Sequence, residues 1–438
     1  MDPRVSETKK GTETVANPSA KNAVETKPGK DTPESAKAPS SGVVQVTRKR
    51  AGTKATGTKA TGTRASGAKA SGAKAAGSGK RVKKVKAVKA VKPPAYILWE
   101  VSRGCLLDCT FCRHSSLPGG TSRDLTTDEG VRLIDSIAKT LRVPLHLTGP
   151  EPLVRKDLFE LAQYAATRGI TVSLATNGST FDFHVARSCV ESRIRQIEIF
   201  IDGSSGRIHD GYRGNPNGFT KAIKGLELIR LAGIKFRISS TITASNVAEL
   251  PKIMSLAQKL GAIGVNIFFN IPVGRGVHFG GDPVPEIQYM EALNWIFDQE
   301  MRHPNYIKLQ CSPQYERIYR ERAHELPDIK NPFKQGSEHL VKQHGCPAAR
   351  EFMFIGHDGH VYPCPYLLVP AGHVLEQKPG DIWEGATILN EIRDPYKTDG
   401  KCNRCKFLVD CRGCRALSFK KFDDPMQEDP ACEYQPES

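Results

Sequence analysis

The chain of 438 residues has no cysteine before position 105 and few aromatic side chains, which make up 7% of it. It also lacks long apolar runs. A membrane helix needs about 20 consecutive apolar residues, and no such stretch occurs, so no transmembrane segment is expected. The opening Met1-Asp2-Pro3 leads into polar sequence without the apolar core of a signal peptide. The twelve cysteines therefore read as reduced thiols of a cytoplasmic protein, and as metal ligands rather than disulfides. Acidic residues are missing too, but only locally. Residues 51–95 contain none, and residues 1–95 hold 22 Lys and Arg against 6 Asp and Glu. The formal charge of +16 thus belongs wholly to this segment, and residues 96–438 sum to zero. The body of the protein offers no global attraction to nucleic acid.

From Gly52 a five-residue repeat runs GTKAT, GTKAT, GTRAS, GAKAS, GAKAA, followed by RVKKVKAVKAVK to Lys92. Such a segment cannot bury enough apolar surface to offset the entropy of ordering, so residues 1–94 are expected to form a disordered basic tail. Composition leaves two roles open: a solubilising segment, or an arm for nucleic acid or an anionic surface that binds by counterion release.

Beyond Pro93-Pro94 the pattern alternates. Short strands are expected at 96–102, 144–148, 170–176, 195–202, 236–243 and 265–271. Helices are expected from a T-x-x-E capping box at Thr126 and Glu129 through about Leu141, and at 158–167, 219–233 and 247–261. In the fourth strand Ile197, Ile199 and Ile201 share one face, and Glu198, Phe200 and Asp202 the other. Six strands separated by helices predict a partial (β/α)6 TIM-type barrel over 95–283, with chemistry at the strand C-terminal ends. A helical charged bridge (284–340) and a small cysteine-rich domain (341–438) are expected to follow.

Cys105, Cys109 and Cys112 form a CxxxCxxC loop directly after the first strand. A [4Fe–4S] cluster normally takes four thiolates; three in a short loop leave one iron open to an exogenous ligand. A zinc site would need a fourth ligand, for which His114 is the nearest candidate, two residues past Cys112. Thr148-Gly149-Pro150-Glu151-Pro152 follows the second strand, Asn177-Gly178 the third, and Asp202-Gly203 the fourth, with His209-Asp210-Gly211-Tyr212-Arg213-Gly214 beyond.

In this order the motifs resemble those of radical S-adenosylmethionine (SAM) enzymes. TGPEP stands where that family has GGEP, with Pro150 in place of a glycine. The resemblance implies SAM contacts at Gly149, Pro150, Glu151, Asn177 and Asp202, and a cluster on Cys105, Cys109 and Cys112. Phe200 occupies a position where many relatives have a serine.

The later cysteines, C-x12-G-x4-C from Cys346 to Cys364, then C-x2-C-x5-C-x2-C from Cys402 to Cys414, and Cys432, resemble the SPASM extension of the same family. By that resemblance Cys402, Cys405, Cys411 and Cys432 would hold one auxiliary cluster. Cys346, Cys364 and Cys414 would hold another, leaving one position that Cys311 can fill. One or two auxiliary [4Fe–4S] clusters are implied. Cys189 is expected in a helix core.

WEVSR (99–103), PVGRG (272–276) and VYPCPY (361–366) are similar to segments of the heme-biosynthesis group, which includes the alternative-pathway heme synthase and its dioxo-heme and didecarboxysiroheme relatives. Membership of that group implies oxidative decarboxylation of porphyrin propionates, a ferredoxin- or flavodoxin-type electron donor, and Arg275 as a carboxylate anchor. A peptide maturase of the SPASM type shares much of the pattern. A non-enzymatic, zinc-stabilised nucleic-acid-binding protein is the other reading.

Overall fold

Alternation is the physical key to this sheet. On successive strands the outward residues Ile97 and Trp99, Leu145 and Leu147, Val172 and Leu174, and Ile197 and Ile199 are almost wholly buried. The residues between them, among them His146, Ser173, Glu198 and Arg237, face a cavity. Parallel strands covered on both faces read as continuous apolar runs; these alternate because only one face meets helices.

The computed structural model describes residues 91–114, 123–277, 283–325 and 345–437. The expected tail lies outside them as far as residue 90, and so does the end of the expected bridge from residue 326. The strands are β1 (Tyr96–Glu100), β2 (Leu145–Thr148), β3 (Val172–Thr176), β4 (Gln196–Phe200), β5 (Lys235–Ile242) and β6 (Val265–Phe269). Each pairs in parallel with the next. Between them run α1 (Thr127–Thr140), α2 (Leu158–Thr167), α3 (Phe183–Glu191), α4 (Gly206–Arg213), α5 (Gly218–Leu231) and α6 (Leu250–Leu260). The expected capping box opens α1: the Thr126 side chain accepts from the Glu129 amide, and the Glu129 carboxylate from the Thr126 amide. This is the α/β partial barrel that the sequence predicted. Helix α4 was not anticipated; it spans the His209-Asp210 stretch, which reads as turns because of its glycines.

The sheet continues past β6. The segment expected as a helical bridge holds α7 (Glu286–Arg302), then β7 (Ile307–Gln310), then α8 (Tyr315–Glu321). β7 adds in parallel to β6. The four-residue strand IKLQ carries too short a pattern to be told from a loop. On the other edge β8 (Phe352–Ile355), from the cysteine-rich part, pairs in parallel with β1. It is followed antiparallel by β9 (His360–Tyr362) and β10 (Gly372–His373). The cysteine-rich part therefore shares one ten-stranded sheet with the barrel. Helices α9 (Pro379–Gly385), α10 (Thr387–Arg393), α11 (Leu408–Cys411) and α12 (Arg415–Phe422) complete it. No described helix is long and apolar enough to cross a membrane.

Candidate active site

The loop after β1 is held from several sides. The Arg155 guanidinium donates to the Val101 carbonyl at 2.8 Å, and the Glu151 amide to that of Gly104 at 3.1 Å. The Thr110 amide bonds the Tyr212 carbonyl at 3.3 Å. Glu100, at the end of β1, takes Arg113 at 3.1 Å and His114 at 3.2 Å. Burial would lift the Glu100 carboxyl, but His114 and Arg113 outweigh it and hold it at about 2. Burial holds His114 down at about 4. His114 is thus engaged with Glu100, which removes the nearest candidate for a fourth zinc ligand.

Cys105, Cys109 and Cys112 line one small cavity of about 130 Å3. Burial pushes the Cys105 thiol up to about 11. Donors are aimed at the sulfurs: Asn177 Nδ2 lies 3.8 Å from Cys105 Sγ and Arg213 Nη1 4.0 Å from Cys109 Sγ. Among the described residues no three His, Cys, Asp or Glu side chains converge closely enough to hold a single metal ion.

The expected SAM residues divide into two kinds. Gly149, Pro150 and Asn177 line the small cavity, together with Phe200. Gly149 has φ +151°, and a Cβ there would stand 2.8 Å from the Ser102 carbonyl oxygen, so TGPEP lies tightly against β1. Glu151 and Asp202 line neither cavity. Glu151, 1% exposed, accepts from Thr176 Oγ1 at 2.7 Å and from the amides of Asn177 (2.8 Å) and Leu153 (3.0 Å). It braces one loop against the next. Asp202 accepts from Arg213 Nε at 2.6 Å and from the Thr241 amide at 2.8 Å. Arg213 is the site residue that sequence reasoning left unassigned. It lines the cavity, lies over the rings of Phe111 and Phe200, and has an Nη2 without a partner. Its only signal was its place in the HD-x-x-R stretch.

Arg275 is not among the residues that line either cavity. It ion-pairs with Asp108 of the cluster loop, and the Gly276 amide bonds the Cys112 carbonyl at 3.4 Å. The PVGRG loop clamps the cluster loop, and the expected anchoring role finds no support in where Arg275 sits.

A second cavity of about 620 Å3 occupies the concave face of the sheet. Arg113, Gly149, Ala175, Phe200, Thr241 and Tyr366 border both cavities. Its wall carries Cys311, Cys346, Cys364 and Cys414 together. Cys311, which follows β7, thus joins the three thiols that lacked a fourth. Cys402 and Cys432 lie near Cys411, and the Cys405 amide closes a turn onto the Cys402 carbonyl at 3.1 Å. None of these four lines the large cavity. Cys189 is fully buried in α3, as expected.

Two family models match: the Radical SAM superfamily over residues 99–257 and an iron–sulfur cluster-binding domain, SPASM, over 346–406. An AdoMet-dependent heme synthase of Methanosarcina barkeri is 35% identical over 350 residues, covering 78% of this chain and 97% of that protein. The chain belongs to the radical SAM family.

A second AdoMet-dependent heme synthase, from Oleidesulfovibrio alaskensis, is 34% identical over 78% of this radical SAM enzyme and 87% of its own length. Mycofactocin maturase MftC of Mycobacterium tuberculosis is 28% identical over 77% of the chain and 83% of that protein. Among solved structures, Streptococcus suis SuiB bound to precursor peptide SuiA superposes with a TM-score of 0.63 at 16% identity, over 79% of this chain and 77% of that one. That likeness concerns the fold. The enzyme takes SAM and iron–sulfur clusters as cofactors, and the zinc-protein reading falls with its family membership.

Proposed function

We propose that this enzyme oxidatively decarboxylates a propionate side chain of an iron porphyrin, the reaction implied by its resemblance to the heme-biosynthesis group; its relatives named AdoMet-dependent heme synthase support this reading. When bound, the Cys105–Cys112 cluster supplies the electron that cleaves SAM to methionine and a 5′-deoxyadenosyl radical. The chain's own residues do the rest. Cys105, Cys109 and Cys112 hold three irons. The unpartnered Nη2 of Arg213 receives the SAM carboxylate in a charge-assisted bond, and the carbonyls around Gly149 and Pro150, with Asn177, receive the polar groups beside it. Glu151 and Asp202 orient these groups from behind. Phe200 and Tyr366 separate the SAM site from the substrate cavity. Loss of one hydrogen atom, CO2 and one electron turns the propionate into a vinyl group. Cys311, Cys346, Cys364 and Cys414 would hold an auxiliary cluster, which would supply an electron acceptor beside the cavity, and Cys402, Cys405, Cys411 and Cys432 would hold a second. A ferredoxin- or flavodoxin-type protein is the reductant. Twelve cysteines spaced as metal ligands suit a reducing compartment, which we take to be the cytoplasm.

The single observation carrying this reading is the 620 Å3 cavity, because it shares lining residues with the proposed SAM site and four thiols stand in its wall. Pockets of this size accommodate cofactor-sized ligands. The test is anaerobic: dithionite-reduced enzyme, SAM and iron-coproporphyrin. Deoxyadenosine and CO2 released in step, with vinyl product, are expected. Deoxyadenosine formed without change in the tetrapyrrole would sink the substrate and turn attention to a peptide, as for the maturase relatives.

A further inference from the structure

Asp429 lies between the two auxiliary cysteine sets and is fully buried. Every polar group it has is used. Its amide donates to Cys402 Sγ at 3.4 Å, and its carbonyl accepts from the Cys432 amide at 3.2 Å. Its carboxylate Oδ2 accepts from the Cys414 amide at 2.7 Å and from Gln314 Nε2 at 2.8 Å, and Oδ1 from the Ala431 amide at 3.0 Å. The backbone thus grips one set through Cys402 and Cys432, while the side chain grips the other through Cys414. Gln314 stands three residues past Cys311, so the second grip reaches both ends of its set. A second observation points to an anion at the same place. Arg415, 3% exposed, donates through Nη1 to the carbonyls of Pro425 (3.2 Å) and Gln427 (2.8 Å), and its side chain also reaches the Cys402 thiol and faces the Asp429 carboxylate. A buried guanidinium is costly unless something negative faces it, and the Asp429 carboxylate and cluster sulfurs are such groups.

We propose that Asp429 is a positioning residue that couples the two auxiliary sites, fixing their separation and placing one negative charge beside both. The inference rests on the reading that both cysteine sets hold an iron–sulfur cluster. A fixed carboxylate favours the less negative, oxidised state of each neighbouring cluster, whereas an N–H donated to a ligand sulfur, as the Asp429 amide is to Cys402, favours the reduced state. Asp429 also supplies a continuous covalent and hydrogen-bonded path from Cys402 Sγ to the Cys414 amide, linking a ligand of one site to a ligand of the other.

The experiment is an EPR-monitored potentiometric titration of the full-length, reconstituted chain, with each auxiliary signal assigned by variants lacking one cysteine set. Iron and sulfide for three clusters are expected in the unaltered chain; content for a single auxiliary cluster would overturn the reading beneath the proposal. Asp429→Asn, which keeps the shape and removes the charge, should shift both auxiliary potentials to more positive values. The Cys105–Cys112 cluster should not move. A shift in one auxiliary signal alone, or in neither with all clusters present, would overturn the coupling and leave Asp429 a local cap of the Cys414 turn. If Asp429→Asn fails to retain clusters, Gln314→Leu decides. Gln314 touches the carboxylate from the Cys311 side only, so coupling demands a shift in the Cys402 signal as well, and its absence would refute the proposal.

Discussion

The Asp202 carboxylate and the Arg213 guanidinium form a buried ion pair, Oδ2 to Nε at 2.6 Å, that aims Arg213 Nη1 at the sulfur of Cys109. Burial works against the charge on Arg213, but Asp202 and Cys109 outweigh it and keep the guanidinium protonated. Removing one partner of such a pair leaves an uncompensated buried charge. Asp202→Ala should therefore cost about 3–5 kcal/mol in a denaturation series. Arg213→Lys keeps the charge but loses the planar fork, so SAM affinity should fall roughly ten-fold, about 1.4 kcal/mol, in a binding titration with cluster content unchanged.

Gly149→Ala is expected to separate SAM binding from cluster binding. The added Cβ would stand 2.8 Å from the Ser102 carbonyl in a backbone conformation at φ +151°. The loop must shift, at a cost of order 1–3 kcal/mol. Iron content should stay intact while SAM binding weakens.

Cys311→Ser tests the fourth ligand of the cavity-facing site. The spectrum of that auxiliary cluster should change and vinyl product should fall, while deoxyadenosine formation continues. Cys105→Ala should do the reverse, abolishing deoxyadenosine and sparing the auxiliary signals. Cys189→Ala, in a fully buried position of α3, should change stability and leave iron content alone.

His209 gives a pH dependence with a defined sign. The Asp202 amide donates to its Nδ1 at 3.1 Å, which requires that nitrogen to be unprotonated. Burial holds the imidazole at about 4, below its ordinary 6.5. Between these values the unfolded chain binds a proton that the folded chain refuses, so stability falls as pH drops from 6.5 towards 4 and is level above. His209→Gln should flatten that limb by an amount on the order of 1–3 kcal/mol in melts recorded across the range. His114 and His146, which burial also holds down, keep the remainder.

Arg275→Ala should be nearly silent on substrate affinity. Its guanidinium is engaged with Asp108 of the cluster loop, and it is not among the residues that line either cavity. A large rise in the KM for iron-coproporphyrin would restore the anchoring role that its sequence context suggested.

Local pattern was enough for β1 to β6, for the capping box of α1 and for the three-cysteine loop. Each depends on residues close together in the chain: the alternation through Ile197, Ile199 and Ile201, the reciprocal bonds of Thr126 and Glu129, and the short loop from Cys105 to Cys112. β7 and β8 were not legible, because four-residue strands take their identity from the neighbours they pair with. β8 pairs with β1, from which it is separated by most of the chain.

The sequence by itself determined the ligand types, their order and the fold that carries them, because thiol spacing and apolar periodicity are local quantities. Tertiary structure alone decided how those groups are used. It put Glu151 and Asp202 behind the site as braces and left Arg213 to face it. It turned Arg275 onto the cluster loop, and it brought Cys311 to Cys346, Cys364 and Cys414 across the end of β7. Each of these depends on which distant backbone donor satisfies a buried polar atom, and a buried carboxylate takes whatever partners the fold brings within reach.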